Sequence, residues 1–218
     1  MSLTLKAENI ARYYNGNAVL ENCSFDFDKS GVYSLMGDNG TGKSTFLKIY
    51  ALLEKPDSGS VSFYSNGEPV LKDIMLRRRI SLVLPDNGIF NTSVFNNAAY
   101  GLKVRGITGN EMRCKAEEAF DAVGLIHKIK QNALTLSSGE TMRLGIARAL
   151  AIEPEIFLLD EPTASIDRRN TEIINGIIGS TKENKKNIII MTTHDKTQAE
   201  KLADFILTIG NGQIHRGF

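Results

Sequence analysis

The residues best suited to chemistry stand in one run, Gly37-Asp-Asn-Gly-Thr-Gly-Lys-Ser44. Its spacing is that of a phosphate loop: a glycine, four free positions, then Gly42, Lys43 and Ser44. Gly37, Gly40 and Gly42 free the main chain to turn its amides inward. The backbone N–H groups from 40 to 45, those of Thr41 and Thr45 included, would then wrap an anion with Asn39 at the tip. Lys43 places a positive charge on the outer phosphates, and the Ser44 hydroxyl is a hard ligand for Mg²⁺. A metal there also needs a carboxylate from a neighbouring strand, and the run "IFLLDE" ends in Asp160 and Glu161. Adjacent strand residues face opposite ways. Asp160 is therefore assigned to the metal through a water, and Glu161 to an attacking water as general base. His194 closes "IIIMTTH" at the same sheet edge, where an imidazole would hydrogen-bond the terminal phosphate. A second helix start, "LSSGETMRLGIARAL" over 136–150, presents Ser137, Ser138, Gly139 and Glu140. It too is built to offer free N–H groups to an anion.

The elements that must position these groups are legible nearby. "GVYSLMG" is a short apolar run leading into the phosphate loop, and "STFLKIYALLE" behind it reads as a helix stopped by Pro56. "SVSFYSNGEPV" alternates as a strand and turns at Asn66-Gly67, while "RISLVLP" over 79–85 is a strand stopped by Pro85. From about 93 to 153 the periods become helical, with breaks near Gly106–Gly109 and Gly124. "EIFLLDE" and "NIIIMTTH" are apolar strands flanking the helix "TEIINGIIGS". Its Ile173, Ile174, Ile177 and Ile178 form the expected buried stripe. Alternating apolar strands and helices imply an α/β fold with a mainly parallel sheet covered on both faces, the middle helical stretch being an inserted lobe.

The chain has 218 residues, 42% of them hydrophobic and 23% charged, with net charge +1. That is enough for one core, and the balance shows no pull toward nucleic acid. Arg77–Arg79 is the densest basic cluster and reads as a solvated face. Cys23 and Cys114 have neither metal-ligand nor disulfide spacing and read as reduced cytosolic thiols. The opening stretch "MSLTLKAENIARYY" has no apolar run fit for a signal peptide, and no run of 18 apolar residues is found in the sequence.

Taken in order, "GDNGTGKST", "LSSGE", "IFLLDEPTASID" and "TTH" resemble the nucleotide-binding domain of ABC (ATP-binding cassette) proteins over about Leu3 to Gly212. "LSSGE" resembles the family signature, usually LSGGQ, with Ser138 for a Gly and Glu140 for the Gln. "ASID" (164–167) resembles its D-loop, and Tyr14, with Tyr13 as the other choice, matches the aromatic that stacks on adenine. The resemblance implies a P-loop NTPase with an N-terminal antiparallel β subdomain. The core would be 1–85 with 154–218, and the helical lobe about 86–153. It implies ATP and Mg²⁺, and a head-to-tail pair, most simply a homodimer. Each ATP would lie between one phosphate loop and the partner's signature, which explains the second helix start. Where the family places a metal-touching glutamine this chain has Pro85, so a ligand is lost or Asp86 or Asn87 substitutes. As an expectation, hydrolysis persists and coupling to the lobe is altered.

"SVFNNAAYGLKVRGITGNEM" resembles the lobe of importer-type ATPases, and no exporter-like loop precedes "LSSGE". The chain is expected to have no room after Phe218 for an importer's regulatory domain. The resemblance thus implies a cytoplasmic subunit on the inner face of the membrane, bound to permease subunits and working with a solute-binding protein. "NALTLSSGE" with "DEPTASID" resembles tungstate- or phosphate-type oxyanion systems. The other reading is a soluble ABC ATPase that remodels a protein or nucleic-acid complex.

Overall fold

The computed structural model describes residues 3–183 and 187–217. The chain divides into two compact units. One comprises 1–82, 155–161 and 181–218; the other comprises 83–154 and 162–180.

The first unit carries two sheets. In one, β2 (Asn17–Phe27), β1 (Leu3–Tyr14), β4 (Ser58–Ser65) and β5 (Glu68–Pro69) lie in that order and pair antiparallel. The β4–β5 hairpin turns at Asn66-Gly67, both with positive φ as a primed turn requires. The other sheet has six strands in the order β10 (Gln213–Arg216), β9 (Phe205–Gly210), β3 (Gly31–Met36), β8 (Ile188–Thr193), β7 (Ile156–Leu159) and β6 (Ile80–Val83). β3 pairs parallel with β8 and β9, and β7 parallel with β8. Every residue of β7 and β8 is buried, which is why these strands are apolar runs rather than alternating patterns. Register places Met36 beside Thr193 and Leu159 beside Met191. The chain therefore leaves β3, β7 and β8 at one edge of the sheet.

Helix α1 (Lys43–Tyr50) follows β3 and buries Phe46, Leu47, Ile49 and Tyr50 in a core shared with residues of both sheets. Aromatic contacts knit it: Phe46 to Tyr50 at 4.2 Å between ring centres, Phe27 to Tyr33 at 4.8 Å. The helix ends earlier than Pro56 suggests. Leu52 adopts φ 58° and the N–H groups of Leu53 and Glu54 turn back to the Lys48 carbonyl, closing the last turn. Arg79 departs from the expected solvated face. Its guanidinium forks onto Glu155 at 2.6 and 2.8 Å, tying the residue before β6 to the one before β7.

The second unit holds α3 (Val94–Val104), α4 (Gly109–Ala122), α5 (Ser138–Leu150) and most of α6 (Arg168–Glu183). The helical stretch expected from about 86 to 153 lies in this unit, which also takes 162–180. On α6 the buried positions are Ile174, Asn175, Ile177 and Ile178, while Ile173 is half-exposed. The stripe is rotated by one residue from the expected one, because 174, 177 and 178 share a face that 173 only borders. Two short helices, α2 (Ile74–Arg77) and α7 (Lys196–Leu202), complete the first unit.

Candidate functional site

The phosphate loop spans the gap between β3 and α1. Gly42 caps the helix with φ 97°, and a Cβ there would stand 2.9 Å from the Val19 carbonyl oxygen, so only glycine fits. Asp38, Asn39, Gly40 and Ser44 are exposed, Gly37, Thr41 and Thr45 are half-buried, and Lys43 is almost wholly enclosed. The Lys43 ammonium donates to the carbonyls of Gly37 at 2.7 Å and Asp38 at 3.1 Å, arching over its own loop.

The carboxylates arrive from β7 by a different route from the one strand alternation suggests. The strand stops at Leu159, and Glu161 takes φ 46°, a left-handed conformation that a glutamate adopts only when its surroundings hold it there. That turn, not the pleat, separates the two carboxylates. Thr192 of β8 holds both residues. Its hydroxyl accepts the Glu161 N–H at 2.8 Å and donates to Asp160 Oδ1 at 2.8 Å. Asp160 is buried at 2% exposure. Glu161 Oε1 lies 3.4 Å from Lys43 Nζ and has no hydrogen bond, while Oε2 meets His194 Nδ1 at 3.0 Å. Lys43, Glu161 and His194 thus form one contiguous chain of polar contacts at the sheet edge, with His194 on the solvent side. Thr192 was missed in the sequence. Its only signal was a polar pair, Thr192-Thr193, closing an apolar strand, and no rule of spacing says which partner it faces.

Tyr14, at the end of β1, donates its hydroxyl to Glu54 at 2.7 Å, and the Arg12 guanidinium lies 4.8 Å over its ring. Arg12 in turn pairs with Asp57 at 3.0 Å. Tyr13 is somewhat more exposed, and its N–H donates to Asp57 at 2.7 Å.

In the second unit, Ser137 and Glu140 form a capping box at the start of α5. The Ser137 Oγ accepts the Glu140 N–H at 3.4 Å, and Glu140 Oε2 accepts the Ser137 N–H at 3.1 Å. Two of the four residues expected to meet an anion, Ser137 and Glu140, are therefore committed to each other. The N–H groups that helix geometry leaves over at this end are those of Ser138 and Gly139. Lys128 holds the other Glu140 oxygen at 2.6 Å, and it keeps the Glu140 carboxyl below its ordinary pKa, the hydrogen bond being the largest cause. Gly139 is pressed by Asn170. A Cβ at 139 would overlap the Asn170 side chain, which itself bonds Asp167. Asn87 is turned toward α5 as well: its amide donates to the Met142 thioether sulfur, 3.5 Å away, and its side chain fills the space a Cβ on Gly145 would need. Of the two residues expected to replace the missing glutamine, Asn87 is thus engaged in packing, while Asp86 is exposed with a carboxylate oxygen 3.5 Å from the Gly88 N–H.

The family profile described as "ABC transporter" matches residues 20–164, more than half the chain. The chain belongs to the ABC transporter family. It is an ATP-binding ATPase subunit of that family. It is 34% identical to the tungstate uptake system ATP-binding protein TupC of Peptoclostridium acidaminophilum, over 97% of each chain. It is 32% identical to the cell division ATP-binding protein FtsE of Escherichia coli, over 98% of each. Its fold superposes with TM-score 0.85 and 26% identity on a dimeric post-hydrolysis structure of the ATP-binding cassette MJ0796 bound to ADP and Pi, covering 98% of this chain and all of that one. No helix among the described residues is long and apolar enough to cross a membrane.

Proposed function

We propose that two copies of this cassette close head to tail on ATP and drive an importer for an oxyanion such as tungstate or phosphate. The observation that carries the catalytic part is the continuous contact from Lys43 through Glu161 to His194 at the edge where β3, β7 and β8 end. ATP places its phosphates against the amides of residues 40–45, and Tyr14, braced by Arg12 and Glu54, offers a ring face to the adenine. Glu161 takes the proton of a water as its oxygen attacks the γ-phosphorus. The bond to the β-phosphate oxygen breaks, leaving ADP and inorganic phosphate. Lys43 offsets the charge on the outer phosphates, and His194 both orients Glu161 and hydrogen-bonds the γ-phosphate. The N–H groups of Ser138 and Gly139 would complete the γ-phosphate shell of the partner's ATP.

Among the described residues no cluster of three acidic, His or Cys ligands exists. The expected ligands are one hydroxyl on the loop, Ser44, and one buried carboxylate, Asp160, just past the end of β7. That set suits Mg²⁺, which keeps most of its waters and leans on the nucleotide's own oxygens. When bound, the ion supplies charge neutralisation at the phosphates.

The importer reading rests on the helical-lobe resemblance and on similarity to a tungstate uptake subunit. The cassette would then sit on the cytoplasmic face of the membrane against permease subunits, served by a solute-binding protein. Similarity to FtsE favours a second reading, in which the motion is delivered to a protein complex rather than to a solute pathway.

The test compares wild type and Glu161→Gln by light scattering, with and without ATP, beside an ATPase assay. The expected result is an ATP-dependent dimer of the variant, hydrolysis by the wild type, and loss of about 10²- to 10⁴-fold in rate in the variant. A variant that binds ATP and stays monomeric would overturn the paired arrangement. Purification of the native complex with integral membrane subunits, rather than with a division or ribosomal assembly, decides between the two readings.

A further inference from the structure

Lys128 has no place in any of the motifs, yet it makes a short ion pair with Glu140, in the signature itself. It ends a 3-10 turn (Ile126–Lys128) whose backbone is pinned on both sides: its N–H bonds the Leu125 carbonyl, and its carbonyl accepts from Gln131. Glu140 stands at the third position of α5, where the family usually has an uncharged glutamine. A carboxylate at a helix start is good for the helix, because it faces the positive end of the dipole. For an anion site it is a liability. The same positive end is what attracts a phosphate, and a carboxylate within one turn cancels it and repels the ligand. Here both oxygens are turned inward, one to Lys128 Nζ at 2.6 Å and one to the Ser137 N–H at 3.1 Å. Arg143 also acts on Glu140 through space, but its guanidinium gives its hydrogen bonds to the carbonyls of Val123 at 2.7 Å and Gly124 at 3.5 Å, so Lys128 is the cation in direct contact with the carboxylate.

We infer that Lys128 is a charge-compensating positioning residue for the signature: it neutralises Glu140 and folds it back, so that Ser138 and Gly139 can receive the γ-phosphate of the partner's ATP. The inference rests on the paired-cassette reading above. It explains how a signature carrying a carboxylate remains usable, since Glu140 with Lys128 presents the net charge that glutamine alone would present. Lys128 then matters only while residue 140 is acidic.

The experiment is a double-mutant cycle in the Glu161→Gln background, reading the dissociation constant of the ATP-dependent dimer by sedimentation. Lys128→Met is expected to weaken the dimer about three- to tenfold when Glu140 is present. In chains that also carry Glu140→Gln, the same Lys128→Met change is expected to have no further effect, and Lys128→Arg is expected to keep the dimer tight. A Lys128→Met effect of equal size with and without Glu140→Gln would mean that Lys128 acts by packing, and overturns the inference. So would a dimer indifferent to Lys128 in both. Absence of any ATP-dependent dimer with Lys128 intact overturns the paired-cassette reading itself, and is told apart from the other outcomes in the first measurement.

Discussion

Thr192 shows how much of the site hangs on one hydroxyl. It satisfies a buried Asp160 oxygen and the N–H of a glutamate held at positive φ. Replacing it with valine keeps the shape and strands both groups. A buried polar group left unpaired costs about 1–3 kcal/mol. Thr192→Val is therefore expected to lower the melting temperature by several degrees and to slow ATP hydrolysis about tenfold or more, while Thr192→Ser retains both. Calorimetry and a steady-state ATPase assay on the two variants check this. A valine variant with wild-type turnover would show that Glu161 is held by other means. Residue type and spacing singled out Lys43, Glu161 and His194 as candidates for the site. Their mutual contacts were not legible there, because the three lie on segments more than 30 residues apart in the chain and meet only through the pairing of β3, β7 and β8.

At the scale of elements, the start of α5 and the start of α6 share a constraint. Gly139 is small because Asn170 occupies the space beside it, and Asn170 is tied to Asp167 in the D-loop-like turn. An added methyl in such a contact is overpacking, worth about 1–3 kcal/mol. Gly139→Ala is expected to lower the urea midpoint accordingly, and Asn170→Ala introduced with it is expected to recover part of the loss, since it removes the Asn170 Cγ and Nδ2 and leaves only its Cβ, 2.8 Å from the added methyl. If Gly139→Ala is as stable as wild type, Asn170 moves aside freely and the two segments are not coupled. Glycine in the signature resembled a device for backbone approach to phosphate. The structure adds a packing reason from inside the same unit, and no local pattern could have announced it. Likewise the carboxylate pair was correctly located at a strand end, but the separation of Asp160 from Glu161 comes from a left-handed turn rather than from the pleat.

Across the whole molecule, the two cysteines sort by burial. Cys23 lies in the core and its thiol is pushed up to about 11, burial being the main cause, whereas Cys114 is exposed on α4. A folded-state value above the ordinary 9.0 means the folded protein holds this proton more tightly than the unfolded chain does. The corresponding stability is complete below pH 9.0 and is lost as pH rises toward about 11. Denaturation midpoints across that window should fall more steeply in wild type than in Cys23→Val. Equal slopes would show that the Cys23 thiol holds its proton no more tightly in the folded protein than in the unfolded chain. The sequence by itself determined the family-defining motifs, the α/β class and the alternation of strands and helices between about residues 31 and 194, because these depend on residue type, local period and the short reach of a glycine-rich turn. Only the tertiary structure decided which hydroxyl joins Asp160 to Glu161, that Arg79 forks onto Glu155, that Asn87 packs on α5, and that Lys128 cancels the charge on Glu140. Each of these is a contact between side chains far apart in the chain or on different turns, and sequence separation carries no record of which partner a side chain meets.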